Sequence, residues 1–338
     1  MIVVTGGTGL VGGNLLWHLL QENDRIIAIK RTKSDLNPLR TMFSFYTHEP
    51  EPFLARIDWK VADVLNEHSL LEIFSNAKMV YHCAAVISLG NNAVAMMDTN
   101  VQGTKNVVDA ALHSAVEKLC FVSSIAACGK AVCGEMINED SCWVNVANRS
   151  PYSHSKYLSE QEVWRGIAQG LNAVIINPGV ILGVSGTETG SSQLFSEVRK
   201  GLMFYTNGGS GYVCVQDVAK AMIALTKSQI SSQRFVLVAE NCSNREVLSW
   251  MADGFGKRRP FIGLGKKTLW LVGAFAELMG KLFRFHPLFD RGMARSATNR
   301  EYYSNRKIQK AIGFQFAPIE NCIKEICKFQ NKKLIDSE

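Results

Sequence analysis

The chain has nine cysteines but no C-x-x-C pair, and no histidine cluster joins them at zinc-finger spacing. That excludes a metal-finger reading and predicts no metal site. The odd, unpatterned set predicts reduced thiols in a cytosolic protein. A long apolar run is also lacking. The most apolar later stretch, 268–276, is ended by Glu277, whereas a membrane span needs about 20 apolar residues. Despite a net charge of +7, no long basic run exists. The clusters are Lys30-Arg31 with Lys33, Lys257-Arg258-Arg259 and Lys266-Lys267, which argues against nucleic acid as a partner. No internal repeat or low-complexity segment occurs. A strand starting at residue 2 predicts no signal peptide, hence a cytoplasmic protein. The 338 residues, 47% hydrophobic, suffice for a large core in one domain or two fused lobes.

What the chain does have is a glycine-rich opening, MIVVTGGTGLVG. Ile2, Val3 and Val4 suit a strand buried on both faces. Leu15, Leu16, Leu19 and Leu20 follow at helical spacing. Between them, Gly6, Gly9 and Gly12 form G-x-x-G-x-x-G. The first glycine permits a tight turn, the second lets backbone approach a pyrophosphate, and the third lets helix pack on strand. The helix N-terminus offers free N–H groups and a partial positive charge to phosphate.

Further strands are predicted over 25–30, 57–62, 79–83, 118–122, 173–176 and 234–238. The second ends in Lys30 and Arg31, with no acid before Asp35. An acid there bonds both ribose hydroxyls, whereas a base favours a 2′-phosphate. These cations point to NADP, with NAD the alternative; otherwise they form a solvated edge. Asp63, beside Val64, either accepts from an adenine amino group or caps the following helix. Ala84 and Ala85 are small enough to let backbone pass close to a cofactor. His82 reads as a packed strand residue. Asn100, near the start of a helix predicted over 99–112, either orders the neighbouring loops or is a helix-terminal polar residue. Ser123 and Ser124 end the fifth strand, where hydroxyls face the crevice of a parallel sheet. Pro178 follows the sixth strand, and Val180 is placed to lie along a nicotinamide.

Pro151 opens a helix on which Tyr152 and Lys156, four apart, share a face. A phenol titrates near ~10, too high for a base at neutral pH; a nearby ammonium lowers that value. Ser124 can hold a substrate carbonyl oxygen by hydrogen bond. Y-x-x-x-K after a glycine turn and a strand ending in Ser-Ser is a catalytic constellation. His154 points away and is structural. The predicted architecture is α/β: a Rossmann-type doubly wound parallel sheet over 1–178 and a smaller C-terminal substrate lobe over 179–338, with about 212–238 returning to the large domain.

In sequence, TGGTGLVG at 5–12, ADV at 62–64, HCAA at 82–85, NVQGTKN at 100–106, VSS at 122–124, YSHSK at 152–156 and NPG at 177–179 stand in an order that resembles the extended short-chain dehydrogenase/reductases, the NAD-dependent epimerase/dehydratase superfamily. The later region is similar to dihydroflavonol reductase-like and 3β-hydroxysteroid dehydrogenase-like members. The resemblance implies Tyr152 as acid/base, Lys156 as its partner and ribose contact, and Ser124 as the substrate-orienting serine. It further implies a pyrophosphate turn of Gly6, Thr8, Gly9, Leu10, Val11 and Gly12, and adenine contacts at Asp63 and Val64. Ala126 and Cys128 depart from the hydroxyl and aromatic of many sugar-nucleotide epimerases.

The leading expectation is a reductase that uses NADPH on a carbonyl of a small organic substrate. The alternative is a nucleotide-sugar epimerase or dehydratase with bound NAD, with Arg199, Lys200 and Arg234 as candidates for the diphosphate. A purely dinucleotide-sensing protein is disfavoured by the presence of Ser124, Tyr152 and Lys156 together. The apolar stretch over 266–284 is read as cover for a substrate pocket in preference to a peripheral membrane contact. A homodimer through helices is the association the resemblance suggests.

Overall fold

The computed structural model describes residues 1–87, 93–131, 135–143, 149–187, 190–269 and 298–335. In chain order its strands are β1 (Ile2–Thr5), β2 (Ile26–Lys30), β3 (Ile57–Val61), β4 (Met79–His82), β5 (Lys118–Val122), β6 (Ala173–Pro178), β7 (Val180–Leu182), β8 (Phe204–Thr206), β9 (Gly209–Cys214), β10 (Gln233–Leu237), β11 (Glu240–Ser243) and β12 (Ile262–Leu264). Seven form one parallel sheet in the order β10-β6-β5-β4-β1-β2-β3.

Both faces of this sheet are buried, so its strands are apolar at successive positions rather than alternate ones. Val3, Val80, Leu119, Phe121 and Ile175 turn to one face, where they pack with Leu70, Val107 and Val163 from helices Glu67–Phe74, Gly103–His113 and Pro151–Ala168. Val4, Tyr81, Cys120, Val174 and Ile176 turn to the other, against Leu15 and Leu16 of the Leu10–Leu19 helix and Ala219 and Met222 of the Val215–Lys227 helix. Each fully buried aliphatic side chain is worth roughly 1.5–3 kcal/mol in area removed from water.

The chain runs outward from β1 through β2 to β3, then crosses back to β4 on the other side of β1. The carboxyl ends of β1 and β4 therefore flank the point where strand order reverses, the place at which such sheets hold ligands. The Val215–Lys227 helix and β10 rejoin this large unit. β9, included in the segment expected to return, pairs instead with β11 and β7 in a separate three-stranded sheet. The smaller lobe has its own core, with Phe195, Met251, Ile323 and Ile326 at its centre.

The expectation that all thiols are reduced is corrected. Cys214, ending β9, and Cys322, on the Ile319–Ile335 helix, are joined as a disulfide across 108 residues, with Cα atoms 6.1 Å apart. Folding of the last helix across the small sheet brings them together, so no spacing in the sequence announces the pair. No helix of the described residues is long and apolar enough to cross a membrane. The stretch over 266–284 lies outside the described residues from 270 onward.

Candidate active site

The glycine turn is shaped by backbone crowding. Gly6 has φ +68°, and a Cβ there would lie 2.6 Å from the Ala84 amide nitrogen, so the turn after β1 presses on the segment after β4. A Cβ on Gly12 would run into the Gly6 carbonyl, which is why helix and turn can meet only at a glycine. Gly9 differs: it is exposed, and a Cβ there would meet nothing closer than the Gly6 oxygen at 3.4 Å. No side chain caps the helix that begins at Leu10, and its first turn carries no acid. An open cradle with uncapped helical N–H groups fits a dinucleotide pyrophosphate.

Ser124 and Tyr152 come together as the sequence suggests. Ser124 ends the extension of β5 and caps a short 3-10 turn, Ile125–Ala127, accepting from the Ala126 amide at 3.1 Å. Ser150 caps the Pro151–Ala168 helix by accepting from Ser153. Ser153 then donates to the Ala126 carbonyl at 2.5 Å, which fixes the helix start against the 3-10 turn. Burial pushes the Tyr152 phenol up, and its hydrogen bond with Ser124 works the other way. The ammonium of Lys156 is not what offsets that burial, contrary to expectation. Lys156 is itself buried, donates to the Val122 carbonyl at 2.8 Å and is lowered by desolvation to about 8.

A residue the sequence reading missed lies beneath. Glu160, one turn beyond Lys156, is fully buried. Its Oε1 accepts from Ser123 Oγ and Asn177 Nδ2, both at 2.5 Å, and its Oε2 lies 3.3 Å from Arg234 Nη1. Its negative charge favours the ammonium form of Lys156. The four-residue spacing from Lys156 was the available signal, but on a helix it also reads as an ordinary surface ion pair.

The other expected residues fall into two groups. Lys30 and Arg31 stand at the end of β2, and no described carboxylate forms an ion pair with them. Asp63 accepts from the Leu65 amide at 3.0 Å in the turn after β3, while Asn66 is the residue that caps the next helix. Val64 is buried against Gly103. Thr8 and Leu10 are half-buried and Val180 is exposed, so all three remain reachable. Ala84 lies beside the glycine turn, Ala85 after it is exposed, and Pro178 ends β6.

Two residues have their polar atoms engaged inward. Ser123 donates to Glu160. Asn100 sits in a π-helical turn, Asp98–Gln102; it accepts from the Val86 amide at 2.8 Å and donates to the Val86 carbonyl and to Ser155. It thereby orders the loop after β4. His82 bonds Thr5 at 2.7 Å and Thr104 at 3.1 Å, and burial lowers it to about 3, so it is a neutral core residue.

A doubly wound parallel sheet with a glycine turn at its switch point defines a Rossmann-type dinucleotide-binding fold. The chain belongs to the NAD dependent epimerase/dehydratase family, whose profile matches residues 2–238. A Synechocystis sp. protein carrying a dihydroflavonol 4-reductase name is 28% identical over 99% of this chain and 96% of that one. A cinnamoyl-CoA reductase of Petunia hybrida is 25% identical over 98% of this chain and 92% of its own length. In fold, the chain matches the crystal structure of a Thermotoga maritima UDP-glucose 4-epimerase, with a TM-score of 0.75, 16% identity and coverage of 98% and 99%.

Proposed function

We propose that this enzyme reduces a carbonyl of a small organic substrate with NADPH, through Ser124, Tyr152 and Lys156. The observation that carries the reading is a single helix, Pro151–Ala168, that starts against the Ser124 turn through Ser153 and the Ala126 carbonyl and carries both Lys156 and Tyr152, whose phenol burial pushes up. A protonated phenol is a proton donor, the role reduction requires. The Gly6–Gly12 turn would hold the pyrophosphate of NADPH and Lys30 and Arg31 its 2′-phosphate, and the bound cofactor would supply the hydride. Ser124 hydrogen-bonds the substrate's carbonyl oxygen and fixes its position. Tyr152 gives its proton to that oxygen as negative charge develops on it. Lys156, whose ammonium form Glu160 favours, stands one helical turn from Tyr152 and would serve as the ribose contact. The names of the dihydroflavonol 4-reductase and cinnamoyl-CoA reductase relatives agree with this direction of reaction.

One observation favours the alternative, a nucleotide-sugar epimerase or dehydratase with bound NAD. A cleft of about 560 Å³ in the smaller lobe carries two guanidiniums, Arg245 and Arg300, beside Tyr205 and Tyr302. Two of the three residues expected to serve a diphosphate are otherwise engaged: Arg234 faces Glu160 and the Glu139 carbonyl, and Lys200 pairs with Glu197 at 3.0 Å.

Thermal unfolding with NADP⁺, with NAD⁺ and with neither separates the two. A ligand at 100 times its dissociation constant stabilises the fold by ~2.7 kcal/mol. NADP⁺ should give the larger shift, and Lys30→Glu with Arg31→Glu should reverse the order. A larger shift with NAD⁺ in the unsubstituted protein overturns the NADPH reading.

A further inference from the structure

We propose that the β8–β12 edge of the smaller lobe docks on an anionic phospholipid surface. β8 and β12 form a two-stranded parallel sheet in which Phe204 pairs with Ile262, and the Phe261 and Ile262 amides donate to the Met203 carbonyl. Four apolar side chains thus stand at the start of this ribbon, Phe204 beside Ile262 on one side and Met203 and Phe261 toward the other, and all are open to solvent: Met203 at 49%, Phe204 at 40%, Phe261 at 49% and Ile262 at 37%. Single exposed apolar residues are ordinary, but a contiguous group marks an interaction surface.

The charge around the patch names the partner. Residues 257–267 contain five lysines and arginines and no aspartate or glutamate. Lys257, Arg258, Lys266 and Lys267 are exposed, and the Arg258 guanidinium lies 4.2 Å from the Phe261 ring centroid. Arg259 is held by Asp253 in a two-pronged pair at 2.8 Å, and Lys200 by Glu197, so the remaining cations set the sign of the surface. Aromatic and aliphatic side chains enter the headgroup–acyl boundary while flanking cations meet lipid phosphates. Each basic group near an anionic leaflet adds to the attraction. A second copy of this chain would bring like charge against like charge. Nucleic acid would use the cations but not the four apolar residues. None of the patch residues belongs to the Ser124–Tyr152–Lys156 site or the glycine cradle.

The test is flotation of the purified full chain with vesicles of phosphatidylcholine, with and without phosphatidylglycerol, at low and high salt. The expected result is flotation with the anionic vesicles only, reversed by salt. Two variants, Phe261→Ser with Ile262→Ser and Lys257→Glu with Arg258→Glu, should each weaken binding about tenfold or more while unfolding at the parent temperature. The charge variant alters solvent-exposed side chains only, so it stands if the apolar variant misfolds. The proposal is overturned if the parent stays unbound, if the charge variant floats as the parent does, or if Phe261→Ser with Ile262→Ser instead converts a dimer to a monomer.

Discussion

Replacing Glu160 with Gln probes the core of the site without touching the reacting groups. The amide oxygen can still accept from Ser123 and Asn177, but an NH₂ group would face the Arg234 guanidinium, now 3.3 Å from a carboxylate oxygen. Removing one partner of a buried ion pair is worth about 3–5 kcal/mol. Arg234 retains the Glu139 carbonyl and is partly exposed, so the lower figure, about 3 kcal/mol, applies. Unfolding entropy is roughly 2.1 cal/mol/K per residue, so in a chain of 338 residues Tm should drop by about 4 °C. A second effect is specific to Lys156. Its value in the fold, about 8, lies below that of a free lysine. Between that pH and about 10.5 the unfolded chain holds a proton the folded chain has released, so this group makes stability rise with pH across that window. Without Glu160 the folded value falls further, and the rise should begin at lower pH. Differential scanning fluorimetry of parent and variant from pH 6 to 10 reads both effects. Equal Tm values with superimposable pH dependence would refute the reasoning.

Two further outcomes follow from the geometry. Gly12→Ala places a methyl group against the Gly6 carbonyl and should abolish the nucleotide-dependent rise in Tm; a shift as large as the parent's would show that the turn is not the cradle. Reducing the Cys214–Cys322 bond should lower Tm, because opening a loop of about 100 residues restores up to ~4.7 kcal/mol of chain entropy to the unfolded state. Scanning with and without a phosphine reductant checks this, and the Cys214→Ser variant should lose the dependence.

Much of the large sheet is legible in the sequence because a strand buried on both faces leaves a short apolar run wherever it occurs. KLCFV at 118–122 becomes β5 without adjustment, and the glycine turn reports its own backbone constraint. The smaller sheets are not legible in this way. β7, β8 and β12 have three residues each and exist only through their partners. The helix expected over 99–112 is in fact two pieces, the π turn Asp98–Gln102 and Gly103–His113, where the Asn100 carbonyl accepts from the Thr104 and Ser159 hydroxyls. Within the candidate site, Ser124, Tyr152 and Lys156 are the residues that motif spacing singles out. Glu160 is not singled out in this way, since a charged residue carries no sign in the sequence that tertiary contacts will bury it, and Arg234, a diphosphate candidate by sequence, instead faces Glu160. Ser123 was assigned to the crevice together with Ser124, yet neighbouring strand residues point to opposite faces, and its hydroxyl turns to Glu160.

The most direct measurement is NADPH oxidation over a panel of aldehydes and ketones by the parent enzyme and Tyr152→Phe, alongside NADPH binding to both. The account predicts turnover by the parent with at least one carbonyl, nearly equal NADPH affinity, and a loss of roughly 10²–10⁴-fold in the variant's turnover. A variant that turns over within a few-fold of the parent would contradict Tyr152 as the proton donor.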